Sequence, residues 1–276
     1  MQHFSITPKD TSSQSRKTAS RKSDLSTAIA ARDLWLFLAW QDIKLRYRRS
    51  KIGPLWITLS MAIFCLSLGV VYSKLFKTQV SEYLPFLSVG FVFWGLISGM
   101  LGEFPNIFVD NASYIKDIKI NPLTILFRVV TRHIITFAHN ALIIIGIYLY
   151  FDIDPGFTAL LAIPGLILVV MNLVAIGVLL SLFGSRFRDV APINQSIIQV
   201  LFFITPITWF PHLISSDSWV MVANPMAYYL DLTRAPLLGH APALKSWGVA
   251  IFTLILFAAI ATGVYRSKAS RIPFWV

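Results

Sequence analysis

The stretch DIKLRYRRSKIGPLW, residues 42–56, sets the terms for the whole chain. Within eight residues Lys44, Arg46, Arg48, Arg49 and Lys51 form its densest cationic cluster, and beyond Gly53-Pro54 no charged residue occurs until Lys74. A cationic patch pressed against a long uncharged run marks the place where a chain leaves water for lipid, because cations favour anionic head groups and are costly in hydrocarbon.

Five further runs free of Asp, Glu, Lys and Arg follow the one at 52–73, at 83–102, 133–151, 155–185, 190–216 and 246–265. Each is close to or longer than the roughly 20 residues a helix needs to cross the hydrocarbon layer. They lack the alternation of barrel strands, and backbone groups in lipid must be satisfied internally, so helices are expected. The predicted fold is an all-α integral membrane protein with six spans, at about 52–76, 83–108, 122–151, 156–184, 190–211 and 244–265. Residues 218–230 are uncharged too, but they are short and broken by Asn224-Pro225, which predicts a re-entrant element.

Composition agrees. With 56% hydrophobic and 13% charged residues and a mean hydropathy of +0.67, the chain has too little polar surface to cover a water-soluble globule. Its net charge of +11 falls between apolar runs and forms no exposed stripe, which argues against nucleic acid as a partner. Cys65 is the sole cysteine, so neither an intramolecular disulfide nor a cysteine-based metal cluster can form. Residues 1–27, rich in Ser, Thr, Lys and Arg and without an apolar core, read as a disordered basic cytosolic tail.

Six spans leave every Lys and Arg on one side except Lys74, Lys77, Arg234 and Lys245, provided Arg128 and Arg132 are counted with the second connection. The positive-inside rule then predicts both termini in the cytosol. Residues 28–50 precede the first span as an amphipathic interface helix. Leu36, Trp40, Ile43 and Tyr47 form its apolar stripe at 100° per residue, and Asp33, Gln41, Lys44 and Arg48 its polar one.

An interface helix ending in RYRRSKIGPLW, six spans, a cytosolic YIKDIKINPL, a second cytosolic RFRD and a broken outer segment with NPMAYYLDLTR together resemble the permease subunit of polysaccharide-export ABC transporters. The O-antigen exporter permeases are nearest, with capsule and teichoic-acid exporters as relatives. The resemblance covers residues 28–276. It implies a bacterial inner-membrane homodimer that moves a polyprenyl-diphosphate-linked polysaccharide and is driven by two ATP-binding subunits. ATP and Mg would sit in those partners, and this chain would need no cofactor. No G-x-x-x-x-G-K-[ST] loop occurs in it, so it lacks the phosphate cradle of an ATPase.

Residue roles follow from the same resemblance. The connection 105–122 would carry a coupling helix that docks on the ATPase through Asp110, Tyr114, Lys116, Asp117 and Lys119, joined by Arg186, Arg188 and Asp189 of the fourth connection. Arg46, Arg48 and Arg49, with Arg128 or Arg132, lie at the depth of the lipid diphosphate or the head groups, and the arginine fork suits phosphate oxygens. Trp56, Phe64, Tyr72, Phe86, Phe91, Trp94, Phe202, Phe203, Trp209 and Phe210 could line a channel along which sugar rings slide, or simply pack and mark the interfaces. The outer segment 212–243 would form short gate helices before the last span. The six runs hold no Asp or Glu, which disfavours an ion-coupled carrier. Two alternatives stay open: a small-molecule or drug exporter with the same permease fold, and a membrane enzyme acting on polyprenyl-linked sugars, for which no catalytic or metal constellation is visible.

Overall fold

A computed structural model describes residues 24–46, 48, 53, 55–213 and 218–276. Thirteen α-helices make up its regular structure, and no strand occurs among the described residues. In chain order they are α1 (Asp24–Ala30), α2 (Arg32–Arg46), α3 (Leu55–Leu75), α4 (Val80–Glu103), α5 (Ile107–Asp110), α6 (Ala112–Lys116), α7 (Pro122–Phe151), α8 (Ala162–Arg186), α9 (Val190–Ile204), α10 (Trp219–Val222), α11 (Pro225–Leu237), α12 (Leu244–Lys268) and α13 (Ile272–Trp275). Single 3₁₀ turns lead from α4 into α5 at Phe104–Asn106 and from α12 into α13 at Ala269–Arg271, and a longer one, Gly156–Leu161, leads into α8.

The apolar runs dictate the long helices. Five are long and apolar enough to cross a membrane: Leu55–Leu75, Val80–Asp110, Pro122–Phe151, Gly156–Arg186 and Leu244–Trp275. The predicted fifth span, 190–211, takes another form. Its helix α9 stops at Ile204 after 15 residues, because Pro206 bars helical geometry at Thr205, which is extended at φ −90°, ψ 137°. At 1.5 Å per residue, α9 is about 22 Å long, short of the roughly 30 Å hydrocarbon thickness.

Packing shows where the rest of that run goes. Asn194 donates to the Leu101 carbonyl near the end of α4 (2.8 Å), Phe202 meets Phe91 (5.7 Å) and Trp94 (6.0 Å) midway, and Phe210 meets Phe86 (4.4 Å) and Tyr83 (5.6 Å) near its start. Helix followed by a run of turns thus climbs antiparallel along α4. Meanwhile α8 and α12 run parallel: Asn172 bonds the Ala250 carbonyl (3.0 Å), and Arg186 lies over Trp275 (5.3 Å).

The pillar of the bundle is α4, buried on almost every face between α3, α7, α8, α9 and α11. By contrast α3 and α12 keep most of their apolar surface open on the single chain. Two glycines let backbones touch at α8. A Cβ on Gly165 would collide with the Leu232 carbonyl of α11, and one on Gly184 with the backbone of Pro105.

Helix α2 leaves much of the expected apolar stripe open and turns another face to the bundle. The chain is already helical at Asp24, inside the segment expected to be a tail, and α2 ends at Arg46; Tyr47 and residues 1–23 lie outside the described residues. Of the expected stripe only Ile43 is buried, whereas Leu36 and Trp40 are exposed. The face turned to the bundle is instead Trp35, Leu38, Ala39, Asp42 and Ile43, about a quarter turn away at 100° per residue. A carboxylate on that face means that charge pairing, and not apolarity alone, sets the rotation of the helix.

Candidate functional site

The functional features gather at two levels, a charged cluster at the end of the bundle that carries α2 and both described chain termini, and an aromatic and polar layer further along the spans.

The charged end is built around α7, whose Arg128 and Arg132 lie one turn apart on one face, with His133 beside them. Arg128 grips Asp42 of α2 with both prongs of its fork, Nε to Oδ2 at 2.8 Å and Nη2 to Oδ1 at 2.5 Å. Its Nη1 donates to Asn111 Oδ1 at 3.3 Å, and the guanidinium lies 5.4 Å from the centroid of the Tyr114 ring. Arg132 reaches Asp42 Oδ2 at 3.4 Å and pairs with Glu103 at the end of α4. His133 Nε2 lies 2.9 Å from Glu103 Oε2. Two guanidinium groups and two carboxylates balance, and the Arg128, Arg132 and Asp42 side chains are only 13–15% exposed. Removing one partner from such a largely buried pair costs about 3–5 kcal/mol, because the other charge is left without compensation.

Arg128 and Arg132, expected among the lipid-facing cations, are therefore committed to carboxylates. Arg46 and Arg48 are exposed, and Arg49 lies outside the described residues. Asp42, Glu103, Asn111 and His133 were not singled out from sequence. A lone acid inside a cationic stretch, and two arginines spaced i, i+4 on one helix, are the signals that could have found the cluster.

The connection 105–122 contains two short helices, of which α5 packs beneath the end of α8 and α6 meets α5 and α13. Asp110, Lys116, Asp117 and Lys119 are exposed there, and Tyr114 is half-buried under Arg128. Lys119 takes a left-handed φ of 58° and ends the segment. Asn121 then caps α7, accepting from the Leu123 amide at 2.9 Å, with Pro122 in the first turn where its missing donor costs nothing. Arg186, Arg188 and Asp189 are exposed in the turn between α8 and α9. The guanidinium of Arg186 sits between Phe187 (5.5 Å) and Trp275 (5.3 Å), so it holds the C-terminal helix α13 against α8 and within reach of α6.

The aromatic residues form two groups. Phe64 stacks edge-on against Phe91 (5.1 Å), which continues to Phe202 and exposed Phe203 (5.4 Å), with Trp94 alongside. Phe64, Phe91 and Trp94 share an open groove between α3 and α4 with Ser60 and Ser98. Nearer the far end, Tyr72, Phe86 and Phe210 cluster around Tyr83. Phe86, Phe91, Trp94 and Phe210 are buried within the single chain, whereas Trp56, Phe64 and Phe203 are open. Trp209 is half-buried and donates Nε1–H to the Phe203 carbonyl at 3.1 Å.

The segment after α9 returns into the bundle. Asn224 caps α11, accepting from the Met226 amide (3.0 Å), and donates to Thr205 Oγ1 (2.9 Å) at the break of α9. Buried Arg234 donates to the Pro206 carbonyl at 2.5 Å and lies 4.1 Å over Phe86, while Tyr83 donates to the Thr208 carbonyl at 2.5 Å. Tyr229 donates to Asn172 of α8 (2.9 Å) and contacts Thr253 of α12 (2.8 Å), which in turn donates to Asn172 (2.9 Å). Tying α11 to two long helices in this way satisfies polar groups that would be costly if left bare in an apolar layer.

The model of the ABC-2 type transporter family matches residues 33–238, about three-quarters of the chain, spanning the interface helix through α11. Among curated proteins, an O-antigen export system permease protein RfbA of Klebsiella pneumoniae is 22% identical over 249 residues, covering 87% of this chain and 93% of that protein. A second Klebsiella pneumoniae protein of the same name is 24% identical over 197 residues, covering 71% and 76%. One of Myxococcus xanthus is 21% identical over 213 residues, covering 76% and 82%. With that match running through the charged cluster, the short α5–α6 connection and the returning helix α11, the chain belongs to the ABC-2 type transporter membrane family.

Proposed function

We propose that this chain is the permease of an ABC exporter that carries a polyprenyl-diphosphate-linked polysaccharide, an O-antigen above all, across the bacterial inner membrane. Two copies form the conduit, and two ATP-binding subunits, which hold ATP and Mg, dock on the basic end in the cytosol. The observation that carries the reading is similarity to an O-antigen export permease over 87% of the chain, together with a family match that runs from α2 through the α5–α6 connection to α11. In a family whose power source is a separate protein, α5 and α6 supply the contact, with Asp110, Lys116, Asp117, Lys119, Arg188 and Asp189 exposed for it.

Six crossings are part of this reading. The parallel course of α8 and α12 supports a return across the layer between them, with 190–213 beside α4 making that crossing as a helix followed by turns. Both termini then face the cytosol. The segment 212–243, anchored by Arg234 and Tyr229, closes the outer mouth as a gate. Exposed Arg46 and Arg48 meet the diphosphate or the surrounding head groups, and the groove of Phe64, Phe91 and Trp94 with its two serines offers sugar rings apolar faces beside hydroxyls. Co-expression with the ATP-binding partner tests the proposal. The expected result is a complex of two plus two subunits whose loss abolishes surface polysaccharide; export that continues without the ATPase would overturn it. Asp189→Arg, which reverses an exposed charge at the proposed dock, should weaken co-purification of the partner.

A further inference from the structure

We infer that Arg128 is the mechanical joint between the coupling segment and the interface helix. The inference rests on the exporter reading, in which nucleotide-driven motion arrives at α5 and α6.

The geometry of one guanidinium carries the argument. Its Nε and Nη2 hold both oxygens of Asp42 on α2 (2.8 and 2.5 Å), its Nη1 holds Asn111 between α5 and α6 (3.3 Å), and its plane covers the Tyr114 ring of α6 (5.4 Å). Three elements, α2, the α5–α6 corner and the long helix α7, therefore meet on one planar group. Asn111 is itself fixed, since its Nδ2 donates to the Ile107 carbonyl at 2.8 Å, so displacement of α5 is delivered to Arg128 without slack. On the far side, α2 is one continuous 15-residue helix laid along α7, with Trp35 against Phe127 (5.9 Å) and Ala39 and Ile43 buried. A shift of Asp42 therefore moves the whole of α2.

Arg132 does a different job. It joins the same carboxylate to Glu103 at the end of α4, which gives α2 a second tether to the central pillar but none to the coupling segment. Among the described residues, Arg128 alone bridges α2 to Asn111 and Tyr114. Lysine cannot replace it, because an ammonium group offers neither a bidentate fork nor a planar face to stack. Nor is Arg128 free for a lipid diphosphate: with its side chain 15% exposed, a phosphate would first have to evict Asp42, whose carboxylate is 13% exposed.

The test uses the full complex with its ATP-binding partner in proteoliposomes. The probe is a polyprenyl diphosphate bearing a fluorescent disaccharide, and both translocated probe and released phosphate are counted. For the joint, Arg128→Lys and Asp42→Asn each lower probe moved per ATP by about fivefold or more, the lower end of coupling between sites, and the double variant is no worse than either single one. The KM for the probe stays put. A lipid-ligand role gives the opposite pattern: Arg128→Lys raises KM, while Asp42→Asn, which frees a cation, leaves it unchanged or lowers it. Either that pattern or an unchanged ratio in both single variants overturns the joint. If either variant does not fold, Asn111→Ala, which keeps every charge and cuts the hydrogen bond from Arg128 to the α5–α6 corner, decides alone by the same ratio. Failure of the unaltered complex to move the probe with ATP would overturn the exporter reading itself, and the joint with it.

Discussion

Gly184 gives the clearest measurement of how tightly the turn Phe104–Asn106 is fitted to α8. It occupies the last turn of α8, where an added Cβ would stand 2.6 Å from the carbonyl carbon and 2.7 Å from the Cα of Pro105, and closer still to the carbonyl oxygen. Ordinary contact begins near 3.4 Å, so α8 and the turn Phe104–Asn106 would have to part by about 1 Å. The turn cannot yield by rotating a side chain, because the obstacle is backbone held between the buried Phe104, Ile107 and Phe108. Overpacking of this kind costs about 1–3 kcal/mol. Gly146, inside α7, has nothing within 4 Å of its added Cβ, and Ala there gains about 0.5–1 kcal/mol of helix propensity. Ala at Gly184, also helical, shares that gain, so the gap between the two variants is the overpacking cost, about 1–3 kcal/mol. Heating the detergent-solubilised protein and following the surviving monodisperse peak by size exclusion measures the order of the two. Gly184→Ala melting at or above Gly146→Ala would refute the close approach, and with it the seat of Phe104–Asn106 on α8.

Three other outcomes are expected. Tyr229→Phe removes the hydroxyl shared with Asn172 and Thr253 and should cost about 0.6 kcal/mol, at most about 1.7, the range for such bonds between membrane helices, read as a lowered thermal midpoint with the fold kept. Arg186→Ala frees Trp275 from a contact of about 0.5–1 kcal/mol and should speed carboxypeptidase trimming from Val276, leaving the midpoint almost unchanged. Replacing Arg46 and Arg48 together by Lys keeps their charge but not their fork; export that falls as far as with the double Ala variant supports bidentate phosphate contact, and export that is retained assigns them to plain head-group attraction.

Much of the fold is legible in the residues because lipid punishes charge so severely that uncharged runs report spans directly. That logic holds for α3, α4, α7, α8 and α12. It misses the shape of the 190–211 run, since hydropathy is blind to backbone geometry: Pro206 breaks the helix while every neighbour stays apolar. Nor does it reveal which face of α2 meets the bundle, because a single carboxylate, Asp42, marks that face while Leu36 and Trp40 of the apolar stripe stay open. The arginine partners lie 86 and 90 residues away in sequence, and no local pattern encodes such a pairing. The same holds for Asn172, Tyr229 and Thr253, each unremarkable in its own helix and joined only by the bundle.

The shortness of α9 has a consequence for biogenesis. A helix of about 22 Å ending in turns is a poor independent unit for the bilayer, since the open carbonyls beyond Ile204 would meet hydrocarbon. Tyr83 and Arg234 answer those groups, and Tyr83 is synthesised long before them while Arg234 emerges only afterwards. The Pro206 carbonyl therefore gains its arginine partner only once α11 has been made, so this stretch cannot reach its final form before then.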